Sequence, residues 1–129
     1  MQKVDEEFLN RIQKTFIAEA DEHIRNFCAG LEELGKNPNE NVRTGVIETL
    51  FREIHSLKGA ARSVGNKETE AICIPLESVF SVLKRGELVY NPDLNSIFYH
   101  AADLLNKTVG EEKNKFAEED RLEARELIK

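Results

Sequence analysis

Phe51-Arg-Glu-Ile-His-Ser-Leu-Lys-Gly-Ala-Ala-Arg62 places a single histidine among basic residues and beside a glycine, on a stretch with helical periodicity. At about 100° per residue, Ile47, Leu50, Phe51, Ile54, Leu57, Ala61 and Val64 fall along one side of a helix, and His55 lies well round from their centre. The imidazole is therefore expected to reach solvent. Gly59, one turn further on, lies beside it on the same surface. A glycine inside a helix costs about 1 kcal/mol relative to alanine, so the position calls for a reason, and room for a large group next to His55 supplies one. These are the surroundings of an imidazole that can carry a phosphoryl group.

The local charge agrees. Lys58, three residues after His55, can bring an ammonium close to whatever the ring carries, and a phosphoryl group carries roughly two negative charges. From Arg52 to Lys67 the bases Arg52, Lys58, Arg62 and Lys67 face one acid, Glu53, in a chain whose formal net charge is −6. An imidazole has an ordinary pKa of about 6.5 and is mostly neutral at cytoplasmic pH. One ring nitrogen can then attack while the other donates a hydrogen bond to an acceptor that fixes the tautomer.

The pattern His55-Ser-Leu-Lys58-Gly59 resembles the signature of histidine phosphotransfer (HPt) domains. The longer Leu50-Phe-Arg-Glu-Ile-His-Ser-Leu-Lys-Gly-Ala60 resembles the form found in CheA-type chemotaxis kinases. Phe16-Ile-Ala-Glu-Ala-Asp-Glu-His-Ile24, Lys84-Arg-Gly-Glu-Leu88, Asn91-Pro-Asp-Leu94 and Ala102-Asp-Leu-Leu105 extend the likeness over about residues 8 to 108. The resemblance implies a phosphoryl carrier in two-component signalling. His55 would accept the group from an ATP-dependent histidine kinase domain and pass it to an aspartate of a response-regulator receiver domain. Lys58 would offset phosphoryl charge, and Gly59 with Ala60 would let the receiver approach. Arg52 and Arg62 are candidate partner contacts, with a solvated surface charge the alternative for each. In this family a glutamate on the following helix orients the imidazole. Glu77 stands at that position, and Glu70, one heptad earlier, is the alternative acceptor.

Two departures from the family pattern stand beside that glutamate. Ile74 occupies a place where CheA-type domains usually carry a second histidine, and Pro75 removes a backbone donor and is expected to kink the helix. A second function class remains open: a helical docking module whose His55 face binds a receiver or kinase domain without being phosphorylated. Such a module would depend on Arg52 and Lys58 and be indifferent to His55.

The remaining sequence predicts an all-α antiparallel four-helix bundle with a fifth helix appended. With 129 residues, 33% of them charged, three prolines and no tryptophan, the chain has the length of one domain and no alternating strand pattern. Helix 1 is expected over about 5 to 34, with Phe8, Ile12, Phe16 (or Thr15), Ala20, Ile24 (or His23), Phe27 and Leu31 inward, ended by Gly35 and Pro38. Helix 2 is expected over 42 to 64, closed by Gly65. Helix 3 follows over 67 to 85, with a seam of Ile72, Leu76, Val79 (with Phe80) and Leu83. Helix 4 starts after Asn91-Pro92 and runs to about 108, carrying Leu94, Ile97, Phe98, Ala101, Leu104 and Leu105. The expected domain spans 1 to 110. The charged segment 111 to 129 would be a linker or a last helix over 116 to 128, with Phe116, Ala117, Leu122, Leu127 and Ile128 as its weak apolar face.

Other classes are disfavoured. Cys28 and Cys73 have neither metal-ligand nor CxxC spacing and read as reduced, packed thiols. His23 and His100 lack the Glu-x-x-His spacing of a di-iron bundle and are assigned to packing or surface, and Asp103 to a structural hydrogen bond. The acidic balance argues against nucleic acid. Neither a signal peptide nor a run of ~20 apolar residues appears, so a cytoplasmic location away from membranes is expected, and a small bundle of this kind is most simply a monomer. There is no glycine-rich ATP loop, and Ser56 stands where the dimerisation domain of a conventional sensor kinase usually has an acid. The chain is thus expected to be a phosphoacceptor rather than a self-sufficient enzyme, part of a CheA-type kinase. It is expected to hold no metal or cofactor, since receiver domains bring their own Mg²⁺.

Overall fold

A computed structural model describes the backbone of residues 3–128 and the side chains of residues 5–115 and 118. Four helices follow one another: α1 (Lys3–Gly35), α2 (Glu40–Ser63), α3 (Lys67–Lys84) and α4 (Pro92–Ile128). No strand occurs among the described residues. In the ring they form, α1 and α3 each pack against both α2 and α4. Short connections make successive helices antiparallel.

The helix boundaries follow from local chemistry. Asn39 and Asn66 cap α2 and α3 by accepting from the Val42 and Thr69 amides at 3.0 and 3.1 Å. Pro92 opens α4, where its missing N–H is no loss. Gly65 adopts a φ of 73° after α2, and the Asn66 amide donates to the Ala61 carbonyl at 2.9 Å. That is the left-handed cap expected there. After α1 the left-handed residue is Asn37, φ 52°, rather than Gly35, because asparagine also tolerates this conformation. Asn39→Ala should cost about 1 kcal/mol and lower the thermal midpoint by a few degrees in circular dichroism. An unchanged midpoint would mean that water replaces the capping bond without loss.

The core centres on Phe80, whose ring meets Phe27 of α1 edge-on at 5.7 Å and Phe98 of α4 at 4.5 Å. Gly30 lets α2 approach α1: a Cβ there would lie 2.6 Å from Leu50 Cδ2. The expected α2 face is buried at Ile47, Leu50, Ile54, Leu57 and Ala61, while Phe51 and Val64 are half-buried at its edges. On α3 the centre of the seam is Thr69, Cys73, Leu76, Phe80 and Leu83, a four-three alternation, and Ile72 and Val79 flank it. On α4 the buried series is Phe98, Ala102, Leu105 and Val109, which leaves Ile97 and Leu104 exposed. Phe8 is exposed as well. Ile97 and Leu104 are apolar residues one step off the stripe, next to the buried Phe98 and Leu105, whereas Phe8 lies in the first turns of α1, where Leu9 is exposed too.

The fifth helix is not found. Where a break at Gly110 was expected, α4 continues to Ile128 as one helix of 37 residues, so the bundle has four helices. Gly110 keeps a negative φ, and its penalty of about 1 kcal/mol is outweighed by propagation into a run of helix-forming Glu and Lys. The apolar positions Phe116, Ala117, Leu122, Leu127 and Ile128 lie outside the described side chains. Pro75 lies inside α3, which runs from Lys67 to Lys84, close to the expected 67 to 85.

Candidate functional site

The antiparallel pairing of α2 and α3 brings His55 opposite Glu77. His55 Nδ1 lies 3.0 Å from Glu77 Oε2, and Lys58 Nζ lies 2.9 Å from each oxygen of the same carboxylate. The imidazole is 63% exposed, whereas the side chains of Glu77 and Lys58 are about four-fifths covered. Burial pushes the Glu77 carboxyl up, but hydrogen bonds from Lys58 and His55, together with their charges, outweigh it and hold the group below its ordinary 4.5. At neutral pH Glu77 is therefore ionised, and a carboxylate can only accept. It follows that Nδ1 carries the proton. In the neutral ring the free lone pair is then on Nε2, which takes no hydrogen bond from the described residues.

The rest of the surroundings divides into groups near the ring and groups turned away. Phe51, one turn before His55, stacks on the imidazole with centroids 6.1 Å apart and planes 14° from parallel. Lys84 of α3 places its ammonium 5.0 Å from the centre of the Phe51 ring. A Cβ on Gly59 would meet nothing within 4 Å among the described residues, so no packing among them demands this glycine. Arg52 is exposed and donates to Thr49 Oγ1 at 3.4 Å. The structure does not bring Ala60 to the ring: it is half-buried on the flank facing α1, beside Ile12 and Phe16. Arg62, two turns beyond His55, bonds Glu70 at 2.5 Å. Glu70, the alternative acceptor, is thus engaged elsewhere.

Beneath the site lies Cys73, its thiol pushed up to about 12 by burial and by the charge of Glu77. Both cysteines are free thiols, as expected. Ile74, in place of a second histidine, is half exposed and offers Glu77 no polar partner. Among the described residues no group of three or more His, Cys, Asp or Glu side chains is set to hold a metal ion. Nor is any described helix long and apolar enough to cross a membrane.

A second histidine–carboxylate pair provides a control within the same fold. His23 Nδ1 lies 2.6 Å from Glu53 Oε2 between α1 and α2, and Asn26 donates to the other oxygen at 3.3 Å. His23 is only 25% exposed, and the residue one turn on is the fully buried Phe27, not an open glycine. His100 is exposed on α4. Asp103 makes no hydrogen bond among the described residues, which corrects the structural role expected for it; it is exposed, and its charge adds to burial in raising the Cys28 thiol. Sequence reading missed the Lys84 contact and the His23–Glu53 pair, because each joins residues on different helices. It also missed the stacking of Phe51, placed only on the buried stripe, although four residues is the spacing at which helical side chains meet.

Comparison with known proteins points one way. The model of the Hpt domain family matches residues 11–111. The chain is 27% identical over 101 residues to the chemotaxis protein CheA of Bacillus subtilis and 24% identical over 97 residues to that of Rhizobium meliloti, alignments that take in 78% and 75% of this chain. It spans only 15% and 12% of the length of those relatives. Among solved structures, the CheA phosphotransferase domain from Thermotoga maritima superposes with a TM-score of 0.71 at 26% identity, covering 79% of this chain and 94% of that one.

Proposed function

The chain belongs to the Hpt domain family, and from that premise we propose that it is a phosphoryl carrier of two-component signalling with His55 as the phosphoacceptor. The observation that carries this reading is the Nδ1 bond to Glu77, which leaves the Nε2 lone pair on an exposed ring. In the first transfer Nε2 attacks the γ-phosphorus of ATP held by a separate histidine kinase domain. The N–P bond forms as the bond to the ADP oxygen breaks, and ADP departs. Because Nδ1 keeps its proton, the ring gains positive charge as the bond forms, and the Glu77 carboxylate faces that charge at 3.0 Å. In the second transfer a receiver aspartate attacks the same phosphorus, and the N–P electron pair returns to Nε2.

Lys58 is committed first to Glu77. It holds the carboxylate in place, and its remaining protons are available to phosphoryl oxygens. Arg52, which pairs with no acid among the described residues, extends the positive charge that would steer an acidic receiver surface, while Arg62 would have to leave Glu70 to join it, and such encounters should weaken with salt. ATP comes with the kinase domain and the divalent cation with the receiver, so the carrier supplies a nucleophile and no cofactor of its own. It would act in the cytoplasm as a monomer.

The test is transfer itself: the domain is incubated with radiolabelled ATP and a CheA-type catalytic fragment, then with a receiver domain. Acid-labile label that chases to the receiver is the expected result. A folded domain that takes no label from several such kinases would overturn the reading and leave the docking module. Gly59 offers a separate check. Gly59→Ala should raise the thermal midpoint, since alanine gains about 1 kcal/mol in a helix and meets no neighbour. It should also slow transfer to the receiver by about tenfold, because small displacements of the reacting groups are costly. A stabilised variant with unchanged transfer would show that the glycine leaves no needed clearance.

A further inference from the structure

We propose that Phe51 is a positioning residue for His55: its ring, held by Lys84, sets the plane of the imidazole so that Nδ1 stays on Glu77 and Nε2 stays on the open side. This inference rests on the phosphoacceptor reading of His55. The torsion that turns a histidine ring is broad and roughly two-fold, and a single hydrogen bond fixes one ring atom while leaving the plane free to swing. With 63% of the side chain exposed, little else restrains it. The stacked phenyl is the flat surface that does so, offset so that the ring centroids are 6.1 Å apart with planes 14° from parallel. Phe51 is suited to the task because it is half-buried and packed against the core. Lys84 reaches over from the end of α3 to lie 5.0 Å from the ring centre, and its Nζ is 4.0 Å from Glu48 on α2. That cation–π contact ties the phenyl to the helix that also carries Glu77. The imidazole is thereby held on one edge by a carboxylate and on one face by an aromatic ring.

The experiment uses Phe51→Leu, which keeps apolar bulk but not the flat face, Phe51→Tyr, which keeps the ring, and Lys84→Met, which removes the cation. Long-range proton–nitrogen NMR of His55 in the unphosphorylated domain reads the tautomer without any kinase. The phosphorylation rate by a CheA-type catalytic fragment is then measured on the same samples. Phe51→Leu is expected to mix the two tautomers and slow phosphorylation about tenfold at saturating kinase, with half-saturation unchanged. Phe51→Tyr should restore both signals, and Lys84→Met should fall between. A Phe51→Leu domain with a wild-type tautomer signal and rate would overturn the proposal. So would a tautomer change that Phe51→Tyr shares, since the ring would then not be its cause. Failure of the carrier reading looks different: the wild-type domain takes no label, while the tautomer response to Phe51→Leu is still read by NMR.

Discussion

Replacing His55 by glutamine is expected to abolish acid-labile phosphorylation while leaving the fold intact. A carboxamide nitrogen has its lone pair delocalised into the carbonyl and is no nucleophile, so the loss should be complete, to the background of the assay. Stability should hardly change, because the imidazole is mostly exposed and makes one side-chain hydrogen bond, and surface substitutions of this kind stay within about 0.5 kcal/mol. The Lys58–Glu77 pair survives the substitution. Label that persists in a folded His55→Gln domain would move the phosphoacceptor elsewhere. His23 would be examined next, since it too presents Nδ1 to a carboxylate.

Glu77→Gln is expected to lower the phosphorylation rate by roughly 10–100-fold, the scale of loss when the carboxylate behind a metal-bound histidine is removed. The amide can still accept from Nδ1–H, but it carries no charge to set against the ring as the N–P bond forms, and Lys58 loses its partner. A rate within a factor of two of wild type would show that Glu77 shapes the resting ring and not the transfer. The same pair has a pH signature. The carboxyl of Glu77 lies below its ordinary 4.5 in the folded chain, so its contribution to stability is complete above that value and is lost as the pH falls through the lower, folded one. Acid unfolding of wild type should therefore include a component below pH 4.5 that Glu77→Gln lacks, as measured by thermal midpoints across that range.

Much of this fold is legible because the responsible signals are local. The three- and four-residue recurrence from Ile47 to Ala61 fixes which side of α2 is buried, and the outward place of His55 follows from its angle alone. Gly65 and Pro92 mark boundaries through their own backbone chemistry. The C-terminal segment misleads for a related reason: Gly110 carries a local penalty, while the continuation of α4 depends on helix propagation through the residues on both sides of it. On α3 periodicity places Ile72 and Val79 in the seam, one residue from its centre, because a helix packed against two neighbours has a broad apolar stripe, and only packing around Phe80 decides where the centre lies.

By itself the sequence determined four amphipathic helices, to which it wrongly added a fifth, the boundaries at Gly65 and Pro92, the exposed histidine, its lysine and its open glycine. It left two glutamates as candidates for the partner of His55. Tertiary structure decided between them: the rotation and register of α3 against α2 bring Glu77 to the imidazole and Glu70 to Arg62. It alone also joined Lys84 to Phe51 and His23 to Glu53. Periodicity reports the angle of a residue around its own helix, whereas a contact between helices depends on how far each slides and turns against the other, which the close packing of the core sets.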